Sequence, residues 1–182
     1  QTWREYIAWS LPPKIAPPST HLEEEVWPRR EAAVVRQSED AGGAFVDSMF
    51  WGVPLSLPGK RPGTKVSKYI TNVRNLESPF WRSMLAKPEQ RCLVPFTRFA
   101  EPKIGAGREE HWFTINDRPV SAFAGVWRWA AEIGPAARQA EPKDLFANLD
   151  DAAQSKADDA GPAKVFAFLT CEPNPLVAPL HP

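Results

Sequence analysis

A single β-rich domain is the fold this sequence predicts, and three observations carry it. The chain has 182 residues, enough for one domain with a real hydrophobic core and short for two. Its 20 prolines work against long helices and favour short strands joined by rigid loops. Its 8 tryptophans supply large, rigid packing surfaces. Lys plus Arg equals Asp plus Glu at 22 each, so no global field marks a nucleic-acid partner, and any anion site has to be a local arrangement of basic residues. Cys92 and Cys171 both lie in apolar runs. Without a second pair they predict neither a zinc site nor a disulfide framework, but two reduced, buried thiols. No apolar run approaches the length of about 20 residues that spans a bilayer, and Gln1 opens no signal-like segment. A soluble protein of the reducing cytoplasm, with no membrane partner, is the expectation.

The elements follow in order. TWREYIAWSL places Trp3, Tyr6 and Ile7, then Trp9 or Leu11, at near-helical spacing, which predicts a short amphipathic helix ended by Pro12 and Pro13. It begins at full amphipathic strength without a cap, which leads to the expectation of missing residues ahead of Gln1. Pro12 to Pro18 reads as an extended connector. AAVVRQ (Ala32 to Gln37) and AFVDSMFWG (Ala44 to Gly52) predict a hairpin across the turn SEDAGG, although the alternation of the second strand is imperfect. The Pro/Gly/Lys-rich VPLSLPGKRPGTKVSK holds Lys60, Arg61, Lys65 and Lys68 within nine residues. This cluster either lies along phosphates or forms a solvated loop. Ser78 is placed to cap a helix through Trp81 and Leu85, and KPEQ turns the chain into the apolar run RCLVPFTRF. HWFTI, the turn NDRP and VSAFAGVWRW give the clearest hairpin signal. From Gly134 to Pro162 large apolar residues are few, which predicts a long mobile loop or a weak surface helix. AKVFAFLTCE then predicts a buried strand, and PNPLVAPLHP closes the chain.

The chemistry is expected in Tyr69 to Pro102. Here Asn72 and Arg74 follow a β-branched run, and an apolar strand returns to Glu101. An amide, a guanidinium and a carboxylate at element ends can meet over a cleft. Five blocks in order then resemble one family: WGVP at Trp51 to Pro54, TNVRN at Thr71 to Asn75, RCLVPFTRFAE at Arg91 to Glu101, AFAGVW at Ala122 to Trp127, and TCEPNPLVAPLH at Thr170 to His181. Together they resemble the SOS response-associated peptidase (SRAP) family, over a span from about Trp27 to His181.

That resemblance implies a single α+β domain with antiparallel sheets and a few short helices, around a positively charged cleft. It implies an abasic-site protein that binds single-stranded DNA and crosslinks to it through the amine and thiol of an N-terminal cysteine, or an autoproteolytic peptidase; a non-covalent single-strand-binding module is the alternative. By the family's pattern Asn72, Glu101 and His181 are the catalytic set and Arg74 holds a phosphate. Asn72 would orient the amine or sugar hydroxyl, Glu101 would exchange protons during imine formation, and His181 would pass a proton to the ring-opened sugar oxygen. Trp51 and Phe99 would offer stacking surfaces, and Lys60, Arg61, Lys65 and Lys68 would add backbone contacts. No cysteine precedes Cys92, Pro102 stands where an aromatic is usual, and Leu76 where an acidic residue is common. The expectation is therefore a monomer truncated at both ends. His21 and His111 read as structural, and three scattered histidines predict no metal and no cofactor.

Overall fold

The computed structural model describes residues 24–37, 43–103, 109–131 and 162–180. The opening helix, the connector from Pro12, most of the turn SEDAGG, the segment from Gly134 to residue 161 and His181 lie outside the described residues. Among the described residues ten strands form: β1 (Glu31–Gln37), β2 (Ala44–Trp51), β3 (Val53–Pro58), β4 (Lys65–Ile70), β5 (Asn72–Val73), β6 (Arg91–Phe96), β7 (Phe99–Pro102), β8 (Glu110–Phe113), β9 (Ser121–Ala130) and β10 (Ala163–Leu169). One helix, α1 (Pro79–Leu85), and a 3-10 turn (Pro88–Gln90) separate β5 from β6.

β1 and β2 form the expected hairpin, from Glu31↔Phe50 to Gln37↔Ala44. β6 pairs with β1, β9 with β6, and β10 with β9, all antiparallel. β10 then meets β2 in parallel, Val165↔Phe50 and Phe166↔Trp51, so five strands close into a barrel-like ring in the order β2-β1-β6-β9-β10. β5 adds to the end of β10, also in parallel. The other pairings are antiparallel, as expected; at these two junctions the last strand lies beside strands that run its own way.

Alternation sorts each strand of the ring into an inner and an outer row. Ala32, Val34, Met49, Cys92, Val94, Trp127 and Phe166 make one buried cluster. It draws on all five strands and fills the inside. Outward-facing Phe50, Val126, Val165 and Ala167 join Trp81 and Met84 of α1 in a second cluster, while Val35, Val46 and Val120 form a third. Both rows of β2 and β10 are therefore apolar in part, and strands covered on both faces lose a clean alternation. At Gly125 an added Cβ would sit 3.0 Å from both the Ala167 carbonyl oxygen and Cys92 Sγ, so β6, β9 and β10 pack closely there.

One end of the barrel is closed by charge. Arg36 Nε and Lys164 Nζ both donate to Asp47 Oδ2, at 2.9 and 2.6 Å. The Arg36 guanidinium also lies over the rings of Phe45 and Trp127, at 4.3 and 4.5 Å.

Several local expectations change. Residues 53–70, read as a basic Pro/Gly segment, form the β3–β4 hairpin from Val53↔Ile70 to Pro58↔Lys65. Pro54 and Pro58 are tolerated because β3 ladders with one neighbour only. RCLVPFTRF breaks after Phe96, and β7 leaves for a separate two-stranded ribbon with β8. The hairpin expected between HWFTI and VSAFAGVWRW does not form, because β6 and β10 occupy both edges of β9. Ser78 takes the N-cap position without a side-chain capping bond; its carbonyl oxygen accepts the N–H groups of Trp81 and Arg82 instead. Cys171, expected to be buried, is exposed. Among the described residues no helix is long and apolar enough to cross a membrane, and no group of His, Cys, Asp and Glu is placed to hold a metal ion.

Candidate functional site

The end of the barrel opposite Asp47 is aromatic. Here β2 ends at Trp51, β10 ends beside β5, and β9 begins. The Trp51 ring packs against Phe166 and Phe168, with centroids 6.4 and 5.2 Å away. Phe168 stacks on Phe123 at 4.8 Å, Phe123 meets the edge of Phe99 at 5.7 Å, and Phe99 stacks on Phe113 at 5.1 Å. Five strands thus contribute to a continuous aromatic floor running from β2 to β8. Burial of such rings and their offset or edge contacts hold the barrel mouth in one shape.

Asn72 and Arg74 stand on one rim of this floor. Asn72, in β5, pairs with Phe168 of β10, and both Asn72 and Arg74 are exposed. The indole N–H of Trp51 donates to the Thr71 carbonyl oxygen at 3.1 Å, fixing the chain one residue before Asn72. Three of the sequence-derived residues, Trp51, Asn72 and Arg74, are therefore brought together. Phe99 and Glu101 belong to the other side. They share a face of β7, where Phe99 lies opposite Phe113 and the half-buried Glu101 lies opposite His111. Directly opposed side chains on an antiparallel pair are near neighbours. Trp51 and Phe99 are both half-buried, so each anchors the floor and leaves part of its ring for a ligand.

Lys60, Arg61, Lys65 and Lys68 are held apart from both rims on the β3–β4 hairpin, and all four are exposed. Its root is rigid. Gly52 has φ +141°, and a Cβ there would stand 3.1 Å from Tyr69 Cβ, a conformation and a fit that favour glycine. Arg29 lies over the Tyr69 ring at 5.2 Å, and Arg128 Nη2 donates to the Pro54 carbonyl oxygen at 3.0 Å. The hairpin's six paired residues extend about 20 Å from that root. Among the described residues none of Lys60, Arg61, Lys65, Lys68 and Arg74 has an ion-pair partner. Five unneutralised cations thus follow one another from the β3–β4 turn (Lys60, Arg61) along β4 (Lys65, Lys68) to the exit from β5 (Arg74), in a chain whose total charge is zero.

Phe123 and Phe168 are not among the sequence-derived site residues, and His111, read as structural, stands across from Glu101. The alternating Phe166 and Phe168 of β10 were a usable signal, since residues two apart line one face. The position of His111 opposite Glu101 depends on a pairing between β7 and β8 that the false hairpin signal hid.

A family model described as SOS response associated peptidase (SRAP) matches residues 8–182. A crystal structure of a protein from Bordetella bronchiseptica is similar with a TM-score of 0.56 at 21% identity, covering 91% of this chain and 69% of that one. A second, from Bacteroides thetaiotaomicron, has a TM-score of 0.47 at 19% identity, covering 81% of this chain and 52% of that one. A comparison with curated proteins gives no significant match.

Proposed function

Because this chain belongs to the SOS response associated peptidase family, we propose that it acts in the handling of damaged DNA by binding single-stranded DNA that contains an abasic site. The observation that carries the reading is the run of unpaired cations, Lys60 to Arg74, leading to a rim where Asn72 is exposed above an aromatic floor. Exposed cations without carboxylate partners can exchange condensed counterions for phosphates. An aromatic floor suits unstacked bases. Asn72 both donates and accepts, as a hydroxylated, ring-opened sugar requires.

The covalent step belongs to a chain bearing an N-terminal cysteine. Its amine adds to the sugar aldehyde and water leaves as the imine forms; the thiolate then adds to the imine carbon while nitrogen takes a proton, closing a thiazolidine. Glu101 is the group that exchanges those protons. Cys92 does not replace the terminal nucleophile, since its nitrogen is an amide and burial pushes its thiol up to about 12. The family's name carries a second reading, peptidase action, in which the same cysteine would be exposed by self-cleavage.

Two measurements test this. Arg74→Ala should weaken binding of single-stranded DNA of every sequence and make its dependence on log salt shallower by about 0.7, the share of one phosphate contact. An unchanged slope removes Arg74 from the interface. In a version with an N-terminal cysteine, Glu101→Gln should bind abasic DNA as before and form the denaturant-stable adduct at least about 100-fold more slowly, the usual range for loss of a proton-transfer group. Adduct formation at the unaltered rate leaves Glu101 a structural residue.

A further inference from the structure

The turn that leads into β1 holds Arg29 in a conformation unusual for its residue type. Its φ is 67°, in the left-handed region that a side chain other than glycine enters at a cost and keeps only where its surroundings impose it. Here β2 imposes it: the Arg29 backbone N–H donates to the Trp51 carbonyl oxygen at 2.8 Å, and the Trp51 N–H donates to the Arg30 carbonyl oxygen at 2.9 Å. The turn thereby carries the Arg29 side chain to the foot of the β3–β4 hairpin, where its guanidinium lies 5.2 Å from the centre of the Tyr69 ring. Phe50 meets that ring in a T-shaped contact at 5.8 Å, so the cation rests on a packed surface.

Arg29 is half-buried, and its Nε–H is shielded from water without an acceptor. Among the described residues no hydrogen bond or ion pair engages any part of its side chain. Arg36 and Arg128 are also half-buried and differ in this respect, one held by Asp47 and the other by the Pro54 carbonyl oxygen. A shielded donor on a charged group is unfavourable when left unbonded. The Tyr69 ring attracts the cation through its face and supplies no acceptor oxygen to the N–H groups, so the fork of donors that suits a phosphate stays available. The place of Arg29 points to the source of that phosphate. Lys68 and Arg74 are separated by about 20 Å of extended chain, with no basic residue between them in the sequence. Arg29 reaches Tyr69, inside that gap, from before β1.

We propose that Arg29 binds a backbone phosphate of the single strand where the strand passes from the hairpin to the aromatic floor. The inference rests on the single-strand reading, and its test keeps the two apart. Arg29→Asn removes the charge and leaves a residue that tolerates φ near 60°. It should not lower the melting temperature, whereas its binding of oligothymidylate with one abasic site should depend on log salt less steeply by about 0.7, and by about 1.4 when combined with Arg74→Ala, because the two side chains meet different phosphates. Arg29→Lys, which keeps the charge and loses the fork, should bind more weakly at the unaltered slope. In NMR of the unaltered protein, thymidine 5′-monophosphate should move the Arg29 Nε–H signal and thymidine should not. An unaltered slope in Arg29→Asn while Arg74→Ala still lowers it overturns the role of Arg29 and leaves the single-strand reading standing. A lowered melting temperature at that unaltered slope makes Arg29 a structural clamp on Tyr69. Movement of the Nε–H signal by the monophosphate alone, with no strand bound at any salt concentration, supports a phosphate at Arg29 and overturns the single-strand reading instead.

Discussion

Cys92 and Cys171 sit in similar apolar runs and end in opposite environments. Cys92 points into the barrel from β6, and its burial raises the thiol from 9.0 to about 12; Cys171 lies just past β10 and is exposed. A raised folded-state value means that the stability gained by burying the neutral thiol is complete below pH 9.0 and declines as pH climbs from there toward about 12. Below that window a thiol reagent at pH 8 should label one cysteine per folded chain, Cys171, and two after denaturation. Rapid labelling of both in the folded protein would mean that the barrel opens far more readily than its packing suggests. At this scale the sequence was informative about residue type and silent about direction. The order of Asn72, Arg74 and Glu101 along the chain was legible, but the arrangement of Glu101 opposite His111 rests on β7 pairing with β8, which no local pattern specifies.

The β3–β4 hairpin shows why elements were read unevenly. Prolines at 54 and 58 and glycines at 59 and 63 are the residues of a loop, yet a strand with one hydrogen-bonded neighbour tolerates proline, and Gly63 at φ +80° serves the turn at its tip. The β1–β2 hairpin was legible because both strands carry β-branched or aromatic residues between clear turn signals. The β8–β9 hairpin that the sequence predicts does not form because competition for the edges of β9 is decided by residues far off in sequence, on β6 and β10. Since Lys60, Arg61 and Lys65 are exposed at the distal end of the hairpin, replacing each by alanine should change stability by no more than about 0.5 kcal/mol, the usual effect of a surface change. If all three contact phosphates, the log-salt slope for single-stranded DNA should fall by about 2. Loss of affinity with an unaltered slope would mean that the hairpin acts by shape.

The whole molecule is a ring with unlike ends, one aromatic and open to Asn72, the other closed by Arg36, Asp47 and Lys164. Asp47 holds two cations whose side chains are only 11% and 23% exposed. Asp47→Ala should therefore cost about 3–5 kcal/mol, because it strands buried charge, and denaturant unfolding should show it as an earlier midpoint with an unchanged slope. A loss below about 1 kcal/mol would mean that water reaches this end freely. Closure of the ring also governs how the chain can be made. The joint between Phe50 and Val165 unites residues from early and late in synthesis, so a nascent chain halted before β10 has an open trough with the inner faces of β2 and β9 bare. Hairpins such as β1–β2 can form while translation continues, but the interior stays wet until β10 emerges from the ribosome. Slow, non-local final assembly of this kind makes the interval just before β10 appears the period in which the chain most needs protection from its neighbours.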